Sequence, residues 1–182
     1  VYNDSLYNDT PNASPSNVSV PISSACLEDG TEVLMDQEQG NVLNEQGVAT
    51  FIRSGDFVVW GNETCCYPKN TDPKDAFLCV RRFFNHSWTS FVLDNMSKLD
   101  KPMNRRLLDT IMDTANIWLN GLVGMGYLLG ARVEMLESEN PLTNLMAGII
   151  KLHVYMTPPS SAQEIDFVLE YDASYVTSAL QG

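Results

Sequence analysis

Asp109 and Asp113 stand four residues apart, the spacing that puts two carboxylates on one helix face, where a partly buried pair can move protons or hold a cation. The neighbouring sequence supplies no nucleophile, base partner or metal set, so the pair reads as a solvated polar stripe that Asn116 and Asn120 continue. The two histidines, His86 and His153, have no Cys or carboxylate at short ligand spacing and read as surface or packed residues. HExxH, paired CxxC, GxSxG, GxxxxGK[ST] and GxGxxG patterns are absent. The Gly-rich run 121–130 follows a helical pattern instead of preceding one, so it ends a helix and cannot aim amides at a phosphate. Arg81, Arg82, Arg105 and Arg106 are expected at interaction or salt-bridging positions and identify no substrate. Cys65 and Cys66 have only Lys69 nearby to favour a thiolate, and read as incidental thiols. These residues point to no catalysis, no metal and no cofactor.

Composition narrows the partners. The 182 residues carry 11 Lys and Arg against 23 Asp and Glu, a formal charge of -12. That balance opposes a phosphate-neutralising surface, so nucleic acid and anionic membrane are not expected partners. The apolar stretches 122–131 and 146–156 are too short for a membrane span, which needs about 20 residues, so no direct membrane insertion is expected. Cys26, Cys65, Cys66 and Cys79 show no paired spacing and are expected as reduced thiols in a cytoplasmic compartment. No basic and apolar leader opens the chain, and Val1 in place of Met suggests an internal residue of a longer parent. The Asn-x-Ser/Thr triplets at Asn8, Asn12, Asn17, Asn62, Asn85 and Asn95 are then composition, not glycosylation sites.

The elements that would position these side chains follow from periodicity. Residues 1–30 are rich in Asn, Asp, Ser and Pro and read as a linker from an upstream domain, with a folded domain over 31–182. The runs 31–36 and 48–52 predict short strands around a helical stretch at 37–46. Residues 56–61 follow a Ser54-Gly55 turn as the second arm of a hairpin. Pro68 and Pro73 predict an irregular loop over 62–76. Val80, Phe84, Trp88, Phe91, Val92, Met96 and Leu99 predict the buried stripe of a helix over 78–99. A second helix begins past Pro102 and ends at 121–126, with Leu107, Leu108, Ile111, Met112, Ala115, Trp118, Leu119 and Leu122 on one side. Alternation then predicts strands at 131–135, 150–156 and 165–171, the last with a mostly acidic polar face. The expected class is α+β, a mixed β-sheet packed against two long helices.

Particular strings say more than these classes. Trp60-Gly61-Asn62, Tyr67-Pro68, the run NTDPKD at 70–75 and Val80-Arg81-Arg82 resemble the hallmark segment of contractile phage tail sheath proteins. The stretches 104–136, 139–159 and 164–176 resemble the C-terminal half of that family in unbroken order, and PSN at 15–17 and LEDGTEV at 27–33 resemble its lead-in. Glu63 departs from the Arg that related sheaths often carry after Trp-Gly-Asn, and complete sheaths have further domains upstream. The resemblance implies the inner, conserved domain of a subunit that stacks in six-fold rings around a tail tube and contracts to drive the tube through an envelope. It implies self-assembly and contact with the inner tube, the baseplate and the tail terminator. It also implies a virion location after assembly in the host cytoplasm, and neighbouring subunits joined by arms that add strands to this domain's sheet. Combined with the residue reading, the expected inter-subunit strand positions are Ile150, Leu152, Val154, Ile165, Phe167 and Leu169. The expected tube-facing positions are Arg105, Asp109, Asp113 and Asn116, or Asn140 and Asn144.

Overall fold

The structure, a computed structural model, describes residues 12–180, so the Asn8 triplet and the reading of Val1 lie outside the described residues. Its first unit is a hairpin with a helix laid on it. The Asp36 carboxylate accepts the Gln39 N–H at 2.8 Å and the Gln39 side chain accepts the Asp36 N–H, a reciprocal cap that starts α1 (Gln37–Asn44). Strands β1 (Thr50–Ser54) and β2 (Asp56–Trp60) pair antiparallel as expected, with Gly55 supplying the positive φ of the turn. A Cβ on Gly40 would fall 2.7 Å from Ile52, so α1 can approach the hairpin only because this position is glycine. The Trp60 indole N–H donates to Asn41 at 2.8 Å and fixes the helix there.

Two expectations fail nearby. Residues 31–36 form no strand. They bridge back at Cys26↔Glu32, and the Met35 C=O accepts from the Arg53 N–H, before the Asp36 cap turns the chain into α1. The loop 62–76 contains a helical turn, α2 (Pro73–Ala76), because Asp72 caps it and proline is suited to a first helical position, where no N–H is needed. Along the free side of β2, residues 17–20 run as an added strand, with Asn17 N–H to Val59 C=O at 2.8 Å and Val20 N–H to Phe57 C=O at 2.9 Å.

The second unit is built on the two long helices, α3 (Leu78–Asn95), extended by a 3₁₀ turn at Met96–Lys98, and α4 (Arg105–Gly124), capped by Asn104. Phe83 and Leu119 are fully buried at its centre with Ala115, Leu122, Leu128 and Val133, and Phe91 meets the Trp118 ring edge-on at 5.3 Å. The α4 stripe is the expected one. On α3 the buried face is rotated from the expectation: Cys79, Val80, Phe83 and Ser87 are inside, while Trp88 is 72% exposed and Val92, Met96 and Leu99 also face out. The helix is apolar on two sides, and the core takes the side carrying the smaller Cys79 and Ser87.

Behind α4 lie β3 (Gly130–Glu134) and β4 (His153–Thr157), antiparallel in the register Val133↔Val154. The α+β class holds, but the strands form two separate antiparallel pairs and not one mixed sheet. The strand expected at 150–156 starts at His153, so Ile150 and Leu152 precede it. The Asn140 side chain takes both the N–H and the C=O of Lys151, which substitutes for a ladder at that point. The expected strand 165–171 is absent: Ile165, Phe167 and Leu169 lie in chain without regular secondary structure, 70%, 84% and 94% exposed, and pair with no strand among the described residues. Two short helices complete the chain, α5 (Leu142–Met146) and α6 (Ser174–Leu180). Before α6 the Ser174 side chain and backbone N–H hold the Asp172 carboxyl below its ordinary range. No helix among the described residues is long and apolar enough to cross a membrane.

Candidate assembly interface

The β3–β4 pair has two outer edges, and they are treated differently. On the β3 side the Asn116 carbonyl oxygen accepts the Val133 N–H at 2.8 Å and its amide donates to the Val133 C=O at 3.3 Å. One side chain from α4 thus fills the place of a strand residue and blunts that edge. Because both polar groups of Val133 turn to Asn116, they do not bond to Val154. In an antiparallel ladder the facing residue then also directs its N–H and C=O outward. By the same alternation Val154 and Met156 present theirs along the free side of β4. No strand among the described residues pairs there.

The side chains of this hairpin divide cleanly. Ala131, Val133, Val154 and Met156 pack on the core. The opposite face carries Arg132 over the Tyr155 ring at 3.9 Å, His153 against Tyr155 at 4.4 Å, an ion pair from Arg132 to Glu134, and a hydrogen bond between His153 Nδ1 and the Glu139 carboxyl at 3.0 Å. His153 is thereby a packed residue of the sheet face, as its sequence context indicates.

After β4 the chain crosses back to the start of α3. There Ser161 Oγ accepts from the Asn62 amide at 3.0 Å and lies 3.3 Å from Cys79 Sγ, while Asn62 and Cys79 are buried. This node joins three segments far apart in sequence and is the last fixed point before the exposed stretch 162–172. Nothing in the spacing of Asn62, Cys79 and Ser161 marks it in the sequence; only the cysteine's place in an apolar helical run was a signal.

The positions expected to face a tube do not share one surface. Arg105 and Asp109 form an exposed i,i+4 ion pair at 2.9 Å, worth about 0.3–0.5 kcal/mol, and Asp113 is exposed one turn further on. Asn116 and Asn140 are corrected: the first is bound to β3, and the second is buried and bound to Leu136 and Lys151, so their amides satisfy backbone and are not offered outward. Asn144 is half-buried in α5. A groove of about 640 Å³ separates α4 from the chain after β3, lined by Arg105, Leu108, Met112, Met135, Leu136 and Leu145. Replacing Asn116 by alanine strands both polar groups of Val133, and an expected loss of about 1–3 kcal/mol should show in denaturant unfolding. An unchanged midpoint would show that water serves that edge equally well.

All four cysteines are free, with Cys26, Cys65 and Cys66 exposed, and no cluster of three His, Cys, Asp or Glu that could hold a metal occurs among the described residues. No family model matches the chain. It is 34% identical over 131 residues to the tail sheath protein of Escherichia phage P2, covering 67% of this chain and 31% of that protein. It is 28% identical over 148 residues to the tail sheath protein of Burkholderia phage BcepMu, covering 80% and 31%. The chain therefore spans about a third of the length of the curated relatives it matches. In fold it is similar to a chain of the anti-feeding prophage baseplate, with a TM-score of 0.74, 20% identity, and 89% of this chain and 45% of that one covered. It is also similar to the contracted sheath complex of the PVC extracellular contractile injection system, with a TM-score of 0.71, 18% identity and coverage of 94% and 48%. Sequence agreement with phage sheaths along most of the chain, on a fold shared with a contractile sheath complex, places this chain among the tail sheath proteins.

Proposed function

We propose that the chain is the inner core of a contractile sheath subunit, polymerising in stacked six-fold rings around a tail tube and shortening to drive that tube through a cell envelope. Residues 31–182 are the tube-binding core domain in this reading, and 1–30 lead in from an upstream domain. The observation that carries it is the presence in one chain of a β4 edge and an exposed segment of strand-like alternation that, among the described residues, have no strand partner. Added beside β4, residues 164–171 of a neighbour would lay Ile165, Phe167 and Leu169 next to Val154 and Met156, and put Glu164, Asp166 and Glu170 on the face of Arg132 and His153. Such a contact is heterologous, so repetition yields a polymer.

Work in this assembly comes from bistable packing between subunits and consumes no cofactor. The chain acts as a structural part and not as an enzyme, and its partners are its own copies, the inner tube, the baseplate and the tail terminator. Arg105, Asp109 and Asp113 on α4 are the tube-facing candidates, with Asn144 on the neighbouring turn. Its place is the virion tail, assembled in the host cytoplasm. A second reading, the sheath of a non-phage injection system or R-type bacteriocin, is favoured by the likeness to the anti-feeding prophage and PVC assemblies. A capsid and terminase encoded beside the parent gene decide for the phage. Negative-stain microscopy of the full-length protein should show tubes or polysheaths, and DNA titration at physiological salt should show no specific binding. Tight, salt-sensitive DNA binding would overturn the reading.

A further inference from the structure

Charge is not spread evenly along this acidic chain. Residues 69–106 hold eight of its 11 Lys and Arg against four acids, whereas residues 27–45 hold six acids and no cation. Each of these stretches also exposes apolar side chains. On α3, Arg81, Asn85, Trp88, Val92 and Met96 follow one another at helical spacing along the outward face, Leu99 continues the line, and Lys98 and Lys101 stand at its end. The stripe is about 27 Å long at 1.5 Å per residue. On α1, Glu38, Val42 and Glu45 share an outward face, and Leu27, Glu28 and Leu34 lie exposed in the chain before it.

We propose that these two surfaces bind each other between copies: the basic, apolar face of α3 in one subunit receives the acidic, apolar face around α1 of a second copy of this chain. An exposed Trp beside a valine, a methionine and a leucine is a larger apolar patch than a solvated helix needs, which marks it as a contact. The charges select the occupant. Outside 69–106 the chain carries three cations and 19 acids, so almost any other surface of a second copy attracts this one, and the α1 region adds apolar groups to match the stripe. The patch and its counterpart are different surfaces, so the contact is head-to-tail and adds to the strand-addition contact without using its residues.

The inference rests on the self-assembly reading but is tested separately from it. Two charge-reversed variants of the chain are made, Lys98→Glu/Lys101→Glu on the α3 side and Glu38→Lys/Glu45→Lys on the α1 side, none of them in the core; Lys98 also bonds Asn95 and the Glu45 backbone caps α1, so circular dichroism first checks that each variant keeps the parent fold. Light scattering across a concentration series should show the unaltered chain associating reversibly, and less so as salt rises. Each variant alone should associate at least tenfold more weakly, and an equimolar mixture should regain association, because the reversed faces then find opposite charge. Variants that associate like the unaltered chain, or a mixture that gains nothing, overturn the inference while leaving strand addition standing. An unaltered chain that stays monomeric throughout overturns it as well, strand addition being judged by tube formation in the full-length protein.

Discussion

Full-length protein carrying Phe167→Pro together with Val168→Pro is expected to fold normally and to form no tubes. In an extended strand one of any two successive amides faces the partner edge, so adjacent prolines remove a ladder donor whichever register the arm takes. Both side chains are exposed and unpartnered in their own chain, so nothing in the folded body depends on them. Circular dichroism checks the fold and negative-stain microscopy counts tubes. Tubes of ordinary length and number from the arm variant would show that residues 164–171 do not join subunits.

The second large effect concerns the core. Leu119 on α4 is fully buried against Phe83 of α3 and the β3–β4 hairpin, and Leu119→Ala should cost about 2–5 kcal/mol. For a chain of this size that is a fall in Tm of roughly 5–15 °C. Trp88→Ala is the informative contrast, because the outward orientation of α3 leaves it within about 0.5 kcal/mol of the parent. If the tryptophan variant melts as low as the leucine variant, α3 is turned the other way and the α3 docking face disappears with it.

The contrast between these two residues shows how much of the fold was legible. The α4 stripe follows from the sequence because the apolar residues of that helix concentrate on one side, so period alone fixes which side is buried. The hairpin at Gly55 was equally plain, since a glycine between two β-branched and aromatic runs leaves few alternatives. On α3 the period was right and the face was wrong. Two apolar stripes compete there, and the choice depends on which side Phe83 can press against Leu119, a contact between residues 36 apart.

The C-terminal strands divide in the same way. Alternation along 131–135 and 150–156 predicts two half-buried strands, of which the second forms only from His153, and alternation along 165–171 marks a segment suited to pairing. Whether a strand forms is a property of two segments, because its backbone bonds lie outside itself. Tertiary structure alone decided that β3 and β4 meet in the register Val133↔Val154, that Asn116 closes one edge, and that residues 165–171 find no edge in their own chain. It likewise turned Asn116 and Asn140 from surface candidates into backbone-capping groups, since an asparagine amide goes wherever an unpaired N–H and C=O stand together. Residue order and spacing fixed which local conformations the chain prefers and which family it resembles. Long-range packing fixed which faces and edges stay open, because only the assembled core shows which polar groups and apolar stripes have no partner left inside it.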